Sequence, residues 1–88
     1  MSDRDKAQAE LRECGIKPGQ IYRHYKGGLY TVIATAICEE TLEPIVVYTS
    51  NMEETNWERT LKSWNESVVV KPDNPESYVI PRFIRVQK

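Results

Sequence analysis

The sequence predicts a mainly β fold, α+β by content, in which short strands carry the core and one helix leads in from the N-terminus. Three observations carry that prediction. From Gln20 onward apolar residues recur with period two, the repeat of a pleated strand. Turn-forming residues at Lys17-Pro18-Gly19, Gly27-Gly28, 39–44 and 71–77 cut this pattern into short runs. Helix start and stop signals, by contrast, bracket only one sizeable segment, near the beginning of the chain.

That segment is about residues 3–14. Ser2 serves as the N-cap, Asp3 and Asp5 place negative charge in the first turn, and Gly15 follows the last turn, where positive φ is often needed. Ala7, Leu11 and Cys14 fall at i, i+4 and i+7, a narrow apolar stripe that suits packing across one side or end of a sheet, or against a second copy. After the Pro-Gly turn, Ile21, Arg23 and Tyr25 share one face of a strand and Tyr22, His24 and Lys26 the other, with Gly27-Gly28 as a tight hairpin turn. Residues 29–38 continue as a long strand with apolar side chains on both faces, as expected where a strand bends or meets a partner. An acidic loop at 39–44 precedes a third strand at 45–50, and Trp57-Glu58-Arg59 is short enough for an edge strand.

Thr60 then caps one helical turn in which Leu61 and Trp64, three residues apart, plug one end of a barrel. Residues 67–70 and 78–86 are the last strand candidates, with Pro81 at a strand edge or bulge because it cannot donate to a ladder. Together these elements describe a small, SH3-like, partly open β-barrel of about five strands. Residues 1–15 form the N-terminal helix and residues 16–88 a single small barrel domain.

Length and charge narrow the function classes. At 88 residues the chain makes one domain with a thin core, because folding at this size buries roughly 60–65% of the unfolded surface. A composition 40% hydrophobic and 28% charged is that of a folded domain. The net charge of −1 conceals segregation: residues 1–28 carry six basic and four acidic side chains, 29–70 two and seven, and 71–88 four and two. Arg23, Lys26, Arg82 and Arg85 therefore make a mildly basic face if the ends meet, too weak a patch for dedicated nucleic-acid binding. No membrane span or export signal is evident, so a cytoplasmic setting is expected, with Cys14 and Cys38 free. One histidine and two separated cysteines assemble no metal site on standard spacing, and no cofactor is implied.

Pro18-Gly19, the run from Tyr22 through Tyr30, Glu40-Thr41-Leu42-Glu43, Val46-Val47-Tyr48, Trp57-Glu58-Arg59 with Trp64, and Pro81-Arg82-Phe83 occur in a familiar order. Over about residues 16–85 the chain resembles the bacterial and phage family catalogued as domain of unknown function 1653. The resemblance implies a small barrel-like domain and assigns no activity. It departs from the family at Thr60, where Pro is usual, at Trp64, where Phe is usual, and in a 51–56 connection without glycine.

His24 with Glu39 or Glu40 and a cysteine has the residue types of a nucleophile, base and orienter. A lone histidine within an alternating strand is more simply a hydrogen-bonding residue, and no catalytic residue is assigned. Tyr22, Tyr25, Tyr30, Tyr48, Trp57 and Trp64 are either barrel core or the walls of a binding groove. Arg59 lies two residues beyond Trp57, hence on the same face of an extended strand. If Arg82 reaches that rim, two cations and an aromatic platform suit a planar anion; the rival use of both arginines is pairing with Glu40 and Glu43. The expectation is a non-catalytic binding module whose face, edged by His24, Lys26, Trp57, Arg59 and Arg82, holds a small anionic, nucleotide-like ligand. The alternative is a protein-interaction or self-assembly module, using a strand edge and the helix stripe.

Overall fold

The computed structural model describes residues 2–70, 73 and 75–86. Part of the turn-rich connection expected at 71–77, and the chain ends at 1 and 87–88, lie outside the described residues. In chain order the elements are α1 (Asp3–Glu13), β1 (Ile21–His24), β2 (Leu29–Ile37), β3 (Pro44–Ser50), β4 (Asn56–Thr60), α2 (Leu61–Trp64), β5 (Ser67–Val70), β6 (Tyr78–Pro81) and β7 (Phe83–Arg85). Five strands form one antiparallel sheet in the order β4-β3-β2-β1-β7, and β5 and β6 form a separate two-stranded ribbon. The fold is thus mostly β with an N-terminal helix, and among the described residues no helix is long and apolar enough to cross a membrane.

The ends of α1 follow its sequence signals. The Ser2 hydroxyl accepts the Asp5 amide N–H at 3.2 Å, and Gly15 takes φ +75° just past the helix. Ala7 is buried, while Leu11 and Cys14 are half-buried against the core, with α1 resting on β2 and β3. In α2, Thr60 caps the turn by accepting from the Ser63 N–H at 3.1 Å.

Three details differ from expectation. The sheet does not close into a barrel: β4 and β7 are its edges, and no ladder joins them among the described residues. Side chains span the gap instead. Trp64 stacks on Phe83 with ring centroids 3.8 Å apart, and the Arg59 guanidinium lies 5.7 Å from the Phe83 centroid. Rings placed between two edges keep them beyond the roughly 4.8 Å at which a ladder forms.

The strand expected across 78–86 is broken at Arg82, with β6 pairing to β5 and β7 pairing to β1. The long two-sided strand β2 also carries a bulge between Val32 and Ala34. Val32 opposes Tyr48 before it and Thr35 opposes Val46 after it, so the inward-facing positions change parity along β2. This is why both faces of that strand read as partly apolar. The core gathers Ile16, Tyr22, Val32, Val46, Tyr48, Leu61, Trp64 and Phe83 in one cluster.

Candidate functional site

Four of the five expected site residues converge at the end of the sheet where β1 and β7 pair. His24 ends β1 opposite Phe83, and the hairpin that follows is closed by His24 N–H to Gly28 O at 2.8 Å and Gly27 N–H to His24 O at 2.7 Å. Gly27 supplies the positive φ, +107°, that this turn needs, so Lys26 is carried on the turn beside His24. The Lys26 amide N–H donates to His24 Nδ1 at 3.2 Å, which places the proton of the neutral ring on Nε2. Gly28 leaves space for a neighbour: a Cβ there would sit 3.2 Å from the ring of Tyr30.

Arg82 is fixed through its backbone. Its N–H donates to Glu66 O at 3.1 Å and its carbonyl accepts from Tyr25 N–H at 2.9 Å, so this one residue links the α2–β5 connection to the β1 turn. Its guanidinium reaches Glu66 at 3.9 Å, while its buried Nε–H has no acceptor among the described residues. Arg59 is held differently. Its Nε–H donates to Tyr48 Oη at 3.4 Å and Nη1 donates to Ser63 Oγ at 3.0 Å, both neutral partners that leave the cation uncompensated.

The rival pairing of these arginines with Glu40 and Glu43 is not what forms. Among the described residues the one ion pair within 4.0 Å is Arg82 with Glu66. Glu40 and Glu43 flank Thr41 in the β2–β3 connection, where the Thr41 hydroxyl accepts the Glu43 N–H at 3.3 Å. Arg82 instead meets Glu66, and the Arg59 guanidinium lies over the Phe83 ring.

Phe83 is the hub beneath these groups. His24 meets it edge-on at 5.1 Å, Tyr30 at 6.0 Å and Tyr48 at 5.8 Å. Burial among these rings, and then the charges of Arg59, Arg82 and Lys26, hold the His24 pKa below its ordinary value. The imidazole is therefore neutral at pH 7, with cationic neighbours.

Trp57 stands apart from His24 but next to Arg59. It is the cross-strand partner of buried Tyr48, yet 49% exposed, and it faces a hollow of about 300 Å³ lined by Tyr30, Tyr48, Glu53, Trp57 and Arg59. A larger hollow of about 510 Å³ between α1 and α2 is lined by Lys6 and Lys62 but also by Glu10 and Glu43, so its charges offset one another. Among the described residues no group of three or more His, Cys, Asp or Glu is arranged to hold a metal.

The nucleophile-base set does not assemble from His24 and Cys38. The two lie beyond opposite ends of β2, roughly 30 Å apart at strand rise. Hydrogen bonds from Thr41, first of its side chain and then of its backbone, lower the Cys38 pKa, but Glu39 and Glu40 share that remote end. Cys14 is occupied in the helix cap, its Sγ donating to Leu11 O at 3.1 Å.

Reasoning from the sequence missed Phe83, Ser63, Glu66 and Glu53. Phe83 is the single Phe of the chain and follows Arg82 directly, a signal available in the sequence. Ser63 and Glu66 acquire their roles only through the placement of α2.

Residues 20–85 match the family described as "Protein of unknown function (DUF1653)". Among solved structures, a crystal structure of a protein of this family from Bordetella bronchiseptica is similar, with 37% sequence identity and a TM-score of 0.65. The match covers 83% of this chain and 90% of that one. No curated protein matches the chain.

Proposed function

The chain belongs to the DUF1653 family, and we propose that it is a non-catalytic binding module whose aromatic and basic face holds a small anionic, nucleotide-like ligand. The observation that carries this reading is the gathering of Lys26, Arg59 and Arg82 around a neutral His24, with the buried Arg82 Nε–H lacking an acceptor among the described residues. A buried donor left unsatisfied costs about 1–3 kcal/mol, and cations brought together repel. An anion among them relieves the repulsion and engages the guanidinium. Arg59 supports the reading because neutral hydroxyls orient it without cancelling its charge.

Native mass spectrometry of protein taken directly from its expression host, with thermal shift in inorganic pyrophosphate, tests this reading. The expected result is a released anionic species or a pyrophosphate-dependent rise in Tm, weakened by added salt and lost in Arg82→Gln while circular dichroism is unchanged. Bare protein that pyrophosphate does not stabilise sinks the reading.

One observation favours a second reading, that of an interaction or self-assembly module. Val69, Tyr78 and Val79 on the ribbon are 52%, 50% and 63% exposed, and isolated two-stranded ribbons are marginal in water. Light scattering after size exclusion decides this case: a dimer that Val79→Ser returns to monomer supports it, and a monomer at all concentrations removes it.

A further inference from the structure

We infer that the hollow beside the cation cluster takes the base of a purine nucleotide, and that Glu53 selects a base of guanine type. The inference rests on the anion reading above and adds the identity of the group attached to the anion. It begins from Trp57, a large ring left half in solvent on an edge strand although its cross-strand partner Tyr48 is buried. An indole facing an open hollow offers a flat apolar surface on which a base stacks at little conformational cost.

The order of groups along the hollow matches a nucleotide. Glu53 comes from the connection between β3 and β4, Trp57 follows on β4, and Arg59 lies two residues further on the same face, about 7 Å at strand rise. Acid, ring and cation thus correspond to donor edge, flat base and phosphate. Tyr30 and Tyr48, edge-to-face at 5.4 Å, make the floor. The volume of about 300 Å³ is at the small end of ligand pockets, suited to one base with part of its sugar and too small for a larger fused-ring ligand.

Glu53 supplies the discrimination. Its backbone is pinned on both sides, its N–H donating to Ser50 Oγ at 3.3 Å and its carbonyl accepting from Thr55 Oγ1 at 3.3 Å. It forms no ion pair with Arg59 within 4.0 Å. An ionised carboxylate only accepts hydrogen bonds, and it takes two side by side from adjacent N–H donors. Guanine presents such a pair, at N1 and its exocyclic amine. Adenine presents a ring acceptor beside its amine, which a carboxylate repels.

Isothermal titration of the full chain with GMP, AMP and inorganic pyrophosphate tests the assignment, with Glu53→Gln as the variant; Glu53 is exposed, so circular dichroism should report an unchanged fold. The expected result is GMP binding about tenfold or more tighter than AMP, a preference that Glu53→Gln abolishes without weakening pyrophosphate binding. Equal GMP and AMP affinities, or a preference that survives Glu53→Gln, overturn the base assignment even where pyrophosphate binds and the anion reading stands. Failure of all three ligands to bind overturns both.

Discussion

The sheet face around Phe83 and the ribbon of β5 and β6 are both built from β-branched and aromatic residues, yet only the first is covered. Phe83 has Trp64 stacked on it and His24, Tyr30 and Tyr48 at its edges, and it is 8% exposed. Val69 and Val79 pair across the ribbon and remain 52% and 63% exposed. The difference is one of supply. A sheet face of five strands receives α1 and α2 as cover, whereas among the described residues no helix packs closely on the ribbon. Local pairing makes a strand, and only distant segments make a core.

The largest test of that contrast is Phe83→Ala. It removes the ring on which Trp64, His24, Tyr30 and Tyr48 rest, with an expected loss of about 3–5 kcal/mol in urea unfolding. A loss below about 1 kcal/mol would mean that the aromatic cluster does not hold the edges of the sheet together. Arg59→Lys comes next. Lysine keeps the charge but cannot reach Tyr48 and Ser63 with a planar fork, so a loss of about 1–2 kcal/mol is expected with α2 loosened. Hydrogen exchange at Asn65, whose N–H donates to Leu61 O at 3.0 Å, reports that loosening.

Glu54 lies outside both regions and probes backbone alone. Its φ of +56° is left-handed, and Glu54→Gly is expected to raise stability by up to about 1 kcal/mol, less than the full relief because glycine also frees the unfolded chain. A decrease would show that its side chain has a role the backbone does not reveal.

His24 gives a pH signature. Its folded pKa is depressed, by burial first and then by Arg59, Arg82 and Lys26, so the unfolded state takes up a proton more readily. The associated stability is present above the unfolded value of 6.5 and is lost as pH falls from there through the folded pKa. Urea midpoints of wild type and His24→Gln between pH 7.5 and about 5 should therefore converge toward acid. Parallel curves would remove His24 from the cluster. Smallest of all, Val79→Ser on the ribbon should change stability by less than about 0.5 kcal/mol in the monomer.

Much of the local structure was legible. Ser2, Gly15, Gly27 and Thr60 mark the ends and turns they occupy because caps and positive-φ positions depend on neighbours within four residues. The common face of Trp57 and Arg59 follows from strand alternation alone. The convergence of His24, Lys26, Arg59 and Arg82 was partly legible, as charge and aromatic residues recurring in separate strands. Its centre was not. Phe83 reads as one more apolar residue until β7 pairs with β1, and the break at Arg82 that makes this pairing possible is hidden in a run that looks like one continuous strand.

The sequence by itself therefore determined the helix, the hairpins, the edge strand β4 and the residues able to carry charge on its inner face. Each of these depends on backbone geometry and short-range hydrogen bonds. Only the tertiary structure decided that the sheet stays open, that Glu66 rather than Glu40 or Glu43 meets Arg82, and that Arg59 lies over Phe83 while Arg59 and Arg82 both act on His24. Those outcomes depend on which distant rings fill the space between two strand edges, a packing choice made when the whole chain closes on its core.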